Sequence, residues 1–202
     1  MKPIRLIAAL AAAALSVLPA HAMDVPTARG PVAVDGTPKT IAVYDVAAID
    51  TLARLGIRPA GLPDKLYVPE LEPVKEGATV VGTLFEPDLE ALSALGPDLV
   101  IVGSRSAAKA DVTAKVAPTI DMTIDGDDLF DQAKQRLAAY GALFGKQEQA
   151  KAAAAELDAK LAAARAAVAG KGKALIVMTN GPKVSTYGPG SRFGWVHAAL
   201  GL

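Results

Sequence analysis

The chain predicts an α/β fold built on a parallel sheet with helices on both faces, and three observations carry that prediction. Short β-rich runs alternate with helical periodicity from residue 31 to about residue 122, the order that leads to parallel strands joined by crossover helices. The run Leu99-Val100-Ile101-Val102 is apolar throughout, as a strand covered on both faces must be. Residues 147–168 are rich in Ala, Glu, Lys and Leu, all strong helix formers, and at about 1.5 Å per residue they make a rod of about 33 Å.

The N-terminus comes first. Lys2 and Arg5 precede an apolar stretch at residues 6–18 that only Ser16 interrupts, and Pro19 then breaks it. Ala20-His21-Ala22 supplies a small-x-small pattern. This predicts a secretory signal peptide over residues 1–22, cut between Ala22 and Met23. The apolar stretch falls short of the about 20 residues that a membrane span needs. No later segment is long and apolar enough to span a membrane. The expectation is therefore a soluble, exported monomer in a bacterial periplasm.

The whole chain has 21 basic and 21 acidic residues. Removal of Lys2 and Arg5 with the signal segment leaves a small acidic excess, so nothing favours nucleic acid as a partner. Cysteine is absent, which excludes disulfides, thiolate metal sites, thiol nucleophiles and a lipidated cysteine.

Residues 31–34 and 40–44 read as short strands around an Asp35-Gly36 turn. Asp45 is placed to cap a helix whose apolar face is Val46, Ile49, Leu52 and Leu55, with Gly56 stopping it. Residues 59–62 read as the next strand and 63–77 as a loop rich in Pro, Lys and Glu. A strand at 79–82 follows. Pro87 suits the first turn of a second helix with Leu89, Leu92 and Leu95 buried, ended by Gly96-Pro97. After the apolar strand at 99–102 come Gly103-Ser104-Arg105, a weaker helix reaching Lys115, and a strand at 119–122. Residues 127–168 are helical throughout, with breaks expected at Gly141 and Gly145. Strands at 173–178 and 184–187 follow, and Ser191 is placed to cap a last helix. One strand pair and one helix cannot bury a domain's apolar faces. Either residues 170–202 pack onto the first lobe or the chain is truncated, and truncation is the expectation.

Three segments together carry a family resemblance. The first is Gly82-Thr83-Leu84-Phe85-Glu86-Pro87-Asp88-Leu89-Glu90-Ala91-Leu92 with Gly96-Pro97-Asp98-Leu99 and the strand after it. The second is Gly103-Ser104-Arg105, with Lys109 and Ala117-Pro118-Thr119-Ile120-Asp121. The third is Asn180-Gly181 and Tyr187-Gly188-Pro189-Gly190-Ser191-Arg192-Phe193-Gly194-Trp195-Val196-His197. Over residues 31–202 the chain resembles the iron-siderophore/cobalamin periplasmic binding proteins, nearest to the branch for ferric catecholates of the enterobactin and petrobactin type.

The resemblance implies two α/β lobes joined by one long helix, with ligand held between them. On that basis residues 23–125 form the first lobe, 126–169 a helical segment containing the joining helix, and 170–202 the start of a second lobe. Roughly a hundred further residues would complete it. The implied function is capture of an anionic ferric siderophore for an ABC-type permease, with no covalent chemistry and no cofactor. Haem, cobalamin and hydroxamate or citrate siderophores are the alternatives within the same fold.

A ferric tris-catecholate carries net charge −3 and three aromatic rings. Arginine suits it, being always charged, planar and able to stack on rings. Arg105 follows a buried strand at the carboxyl edge of the sheet, where α/β folds place ligands. Arg192 lies at a helix start in the Gly-Pro-Gly-Ser-Arg turn. The resemblance implies that Arg105 and Arg192 contact ligand, one from each lobe. Lys109 is a third candidate cation. Tyr44, Tyr187 and Trp195 are candidate ring contacts, although core packing explains Tyr44 and Trp195 as well. By the same resemblance Glu90, with Glu86 beside it, docks on the permease; an acid at a helix N-terminus is the plainer reading.

Other classes fare worse. Tyr44-Asp45-Val46-Ala47-Ala48 is unlike the glycine-rich turn of a dinucleotide site, and Gly-Pro-Gly-Ser-Arg-Phe-Gly lacks the spacing of a hydrolase nucleophile elbow. His197 is the one histidine after the signal segment, too few for a zinc site, and reads as a packing or helix-surface residue. The Ala-rich helix lacks the sustained large apolar heptad of a coiled coil.

Overall fold

A computed structural model describes residues 22–126 and 128–202. The predicted signal segment lies outside the described residues except for Ala22, which opens the first strand.

The chain enters as an antiparallel hairpin of β1 (Ala22–Thr27) and β2 (Gly30–Asp35), paired from Ala22↔Asp35 to Thr27↔Gly30. Only the second of these strands was legible in the sequence. The first offers a single fully buried apolar residue, Val25, in a run that also contains Pro26. The hairpin forms its own sheet but packs on the core of a five-stranded one made of β3 (Ile41–Val43), β4 (Gly61–Leu62), β5 (Thr79–Val80), β6 (Leu99–Val102) and β7 (Thr119–Asp121). All four pairings are parallel and the spatial order is β5-β4-β3-β6-β7. The chain thus starts in the middle, winds out to one edge, returns and winds out to the other. The reversal falls between β3 and β6, the position where open α/β sheets form a ligand crevice beyond their carboxyl ends.

Strand periodicity divides the core between the two faces. Ile41, Val43, Leu99 and Ile101 point to one side, while Ala42, Tyr44, Val100 and Val102 point to the other, as the two-residue repeat requires. The first side is covered by α1 (Val46–Arg54) and α4 (Leu129–Leu143) through Ile49, Leu52, Leu137 and Tyr140. The second is covered by α2 (Leu89–Leu95) and by a short 3-10 turn at Ser104–Lys109 running into α3 (Ala110–Thr113).

Local chemistry sets the helix limits. Asp45 caps α1 by accepting from Ala48 N. Asp88 caps α2 by accepting from Glu90 N and Ala91 N, and Gly96 ends it in the left-handed region. Pro87 therefore precedes the helix instead of lying in its first turn. Thr83 Oγ1 accepts from Phe85 N and Glu86 N, which folds residues 83–86 into a tight turn before the cap. Of the expected stripe, Leu92 is fully buried and Leu89 is 36% exposed.

Gly141 does not break the helix. It lies inside α4, where a Cβ would come within 2.6 Å of Ala150 Cβ. Its role is to let α4 and α5 (Gln147–Val168) approach closely, and the break falls at Gly145 alone, with φ 66. α5 meets the core through Ala150, Ala153 and Ala154, and most of the rest of the rod is exposed. Beyond it, β8 (Ile176–Asn180) and β9 (Lys183–Tyr187) form a second antiparallel hairpin, followed by α6 (Trp195–Leu200). Ser191 does not cap that helix; its Oγ donates to Gly188 O at 2.6 Å and closes the Gly-Pro-Gly turn. α6 leans on α5, where Arg165 Nε donates to Ala199 O.

Candidate functional site

A cleft of about 530 Å³ opens at the carboxyl ends of β3, β6 and β7, at the reversal point of the sheet and within the size range of small-ligand sites. β3 delivers Tyr44 and Asp45, β6 delivers Gly103 to Arg105, and β7 delivers Met122 to Ile124. Leu66, Tyr67 and Val68 close one side, and Leu129 and Ala133 of α4 another. The walls are mainly apolar. The charged lining residues are Arg105 and Asp45.

Arg105 is exposed, and its guanidinium lies over the Phe85 ring, 5.7 Å from the centroid. Among the described residues it has no carboxylate partner. Its aim is set by the backbone before it. Ser104 has φ 49, a left-handed conformation that costs a non-glycine residue energy. Ser104 N donates to Thr123 Oγ1 at 2.9 Å, and that hydroxyl donates to Asp121 Oδ1 at 2.6 Å. Arg29, in the β1–β2 turn, donates from Nε to Asp121 Oδ2 at 3.2 Å and from Nη1 to Asp111 Oδ1 at 2.7 Å. The buried Arg136 of α4 adds bonds to Pro26 O at 3.0 Å and Thr123 O at 3.1 Å. The first hairpin is therefore tied to the cleft wall that holds Ser104, and through it Arg105.

Asp45 is spent on structure. Burial pushes its carboxyl above the ordinary aspartate value and the nearby Asp121 charge adds to this, while hydrogen bonds from Ala48 N and Ala47 N pull the other way. Gly103 is needed opposite it, because a Cβ there would sit 2.9 Å from Asp45 Cγ. The fully buried Ser106 Oγ accepts from Gly103 N at 3.0 Å and lies within donating distance of Tyr44 O. Together these bonds lock the ends of β3 and β6 side by side.

The other residues singled out from the sequence fall in several places. Tyr44 is 1% exposed and donates its hydroxyl to Val81 O at 2.7 Å; it meets the cleft from the core, and burial raises its phenol. Lys109 Nζ donates to Glu86 Oε2 at 2.6 Å, so two residues singled out for different roles neutralise each other. Glu90 stands exposed in the first turn of α2. Every residue lining the cleft lies between Tyr44 and Ala133, so Arg192, Tyr187 and Trp195 are not part of it. Arg192 and Tyr187 meet through Phe193 beside the second hairpin, while Trp195 turns towards α4. Arg192 lies over the Phe193 ring at 5.4 Å, and Phe193 meets Tyr187 edge-to-face at 4.8 Å. Trp195 packs edge-on against Phe130 at 5.7 Å, next in sequence to cleft-lining Leu129. His197 is buried, with Nε2 3.2 Å from Tyr187 O.

Tyr67, Phe85, Ser104 and Thr123 were missed in the sequence as site residues. Tyr67 and Phe85 lie in segments without periodicity. The Thr123–Ser104 bond joins residues 19 apart, which no local pattern reports. Among the described residues no group of three or more His, Cys, Asp or Glu side chains is placed to hold a metal ion, and no helix is long and apolar enough to cross a membrane.

A doubly wound α/β lobe, a crevice at its reversal point and a long exiting helix are the features of a solute-binding lobe. The chain belongs to the periplasmic binding protein family, whose model matches residues 41–202. It is similar to the petrobactin-binding protein YclQ of Bacillus subtilis, 32% identical over 169 residues, or 82% of this chain and 53% of the relative. It is also similar to the ferric-anguibactin-binding protein FatB of Vibrio anguillarum, 33% identical over 181 residues, or 86% of this chain and 56% of the relative. Among solved structures, YclQ superposes with a TM-score of 0.83 at 30% identity, over 90% of this chain and 66% of that one. The catecholate-siderophore binding protein VctP of Vibrio cholerae gives 0.78 at 25% identity, with the same coverage. The chain thus spans about half the length of the curated relatives it matches, and YclQ and FatB are both binding proteins.

Proposed function

We propose that this chain carries the ligand-capturing first lobe of a periplasmic solute-binding protein that takes an anionic ferric siderophore, of catecholate type, for an ABC importer. The observation that carries this reading is Arg105, an exposed arginine with no carboxylate partner among the described residues, presented at the mouth of a mainly apolar cleft. A tris-catecholate offers three negative charges and flat rings. At an effective dielectric of about 20, each unit charge pair at 4 Å is worth about 4 kcal/mol, and the apolar walls take the ring edges. The ligands of YclQ, FatB and VctP, which are petrobactin, ferric anguibactin and catecholate siderophores, support the siderophore class.

Arg192 supplies the second cation from the 170–202 segment, with Tyr187 and Trp195 beside it, and a lobe closing over the cleft would bring it to the ligand. Lys109 is a weaker contributor because Glu86 holds it. For the same reason Glu90, not Glu86, is the carboxylate offered to a permease. Selectivity comes from charge and shape, and release from separation of the lobes.

The test is a titration with ferric enterobactin, a tris-catecholate, read by quenching of Trp195, the one tryptophan. Arg105→Ala is expected to weaken binding about a hundredfold. No quenching and no heat of binding in the parent protein, or unchanged affinity in Arg105→Ala, overturns the reading.

A further inference from the structure

Among the described residues two non-glycine residues have left-handed backbones, Tyr67 with φ 60 and Ser104 with φ 49. Both line the same cleft. That conformation crowds Cβ against the backbone and is rare for an aromatic residue. It persists where the surroundings impose it, often at a site that uses it. For Ser104 the proposed site supplies a use, since the next residue is Arg105. Tyr67 has no such account in the packing. The residue is 68% exposed, and its hydroxyl makes no hydrogen bond among the described residues. On either side, Leu66 is fully buried and Val68 packs against the core. The chain is thus anchored before and after a ring that itself adds nothing to the core.

We infer that Tyr67 is a specificity-determining residue, a preset flat face at the cleft rim that stacks on an aromatic ring of the ligand and so favours ring-bearing ferric complexes over ring-free ones. The inference rests on the reading of the cleft as a ferric-siderophore site and names the part of the ligand that Tyr67 reads. The surroundings agree with it. Leu66, Val68, Leu84, Met122 and Ile124 make the neighbouring wall apolar, which suits the edges of a catechol and gives nothing to a carboxylate. Arg105 supplies charge to either kind of ligand. Discrimination between them therefore falls to a group that recognises rings, which an exposed phenol does by stacking.

The experiment uses the protein as its gene encodes it, with Tyr67→Gly and Tyr67→Phe. Each is titrated with ferric enterobactin and with ferric citrate, which has no ring, and each is melted without ligand. Tyr67→Gly should lower affinity for ferric enterobactin about tenfold. Ferric citrate should change less than twofold, or stay unbound by both proteins. The thermal midpoint should hold or rise, because glycine accepts this backbone without strain. Tyr67→Phe should restore binding of ferric enterobactin, since it keeps the ring. A lowered midpoint, a parallel loss for both complexes, or unchanged ferric enterobactin affinity in Tyr67→Gly overturns the assignment. If the parent binds ferric enterobactin and Tyr67→Gly binds it equally well, the ring assignment alone falls. If the parent binds neither complex, the reading of the cleft falls and takes the assignment with it.

Discussion

Arg105 and Arg192 share their local chemistry and differ in what they stand on. Both are exposed, and each guanidinium lies over a phenylalanine ring, at 5.7 Å for Phe85 and 5.4 Å for Phe193. Both follow the carboxyl end of a strand. Arg105, however, follows β6, whose four residues are all buried inside a five-stranded parallel sheet. The residue before it is held by Thr123, and Thr123 by Asp121 and Arg29. Arg192 follows a two-stranded hairpin with Val177, Met178 and Val184 exposed, in a turn closed by Ser191 on Gly188. The chemistry of a recognition residue is a local property, but its direction is inherited from the scaffold. The five-stranded sheet is covered on both faces, and the hairpin segment does not bury its own apolar face.

The largest expected effect concerns those two scaffolds. Ile101→Ala, in the fully buried β6, should cost about 3 kcal/mol of stability by removing packed methylenes. Val184→Ala, at a position 67% exposed in β9, should change it by less than about 0.5 kcal/mol. Comparable losses in urea unfolding would erase the contrast. Next comes recognition. Arg192→Ala should weaken ferric enterobactin binding at least tenfold in calorimetric titration, about 1.4 kcal/mol, yet less than Arg105→Ala does. Unchanged affinity would remove Arg192 from the site and leave the cleft cation alone responsible.

Thr123→Val sharpens the point about direction. It keeps the shape, leaves Ser104 N without its acceptor and should weaken binding about fivefold, roughly 1 kcal/mol. Arg105 itself is untouched, so affinity equal to the parent's would show that its aim does not depend on β7. The smallest effect is on pH. Asp45 has its folded value raised by burial, so the folded state holds its proton more tightly than the unfolded chain. Stability relative to Asp45→Asn, which keeps a capping oxygen, should then fall as pH rises from below the ordinary aspartate range through the raised value. Urea midpoints of the two proteins compared at pH 4 and pH 7 measure this, and a difference that grows in the opposite direction contradicts the assignment.

Some features were legible because they are local. The apolar run at 99–102 became β6, the helix formers at 147–168 became α5 with the same limits, and Asp45 and Gly96 cap as their chemistry requires. Others depend on a neighbour distant in sequence or on the details of a turn. Gly141 reads as a helix breaker until Ala150 is seen against it. Pro87 reads as a helix start until the turn at Thr83 displaces it. Lys109 reads as a free cation until Glu86 is found at 2.6 Å.

Residue order was enough for the α/β class, the succession of strands and helices after the first strand, and the presence of arginines suited to a multiply charged anion, because each follows from propensity, periodicity or side-chain chemistry within a few residues. Which groups meet at the cleft was settled only by the folded chain. Arg105 lies there and Arg192 does not, Tyr67 stands at the rim, and Arg29 braces the wall from the first hairpin. Periodicity reports which face of an element is buried; it carries no record of what that face will meet.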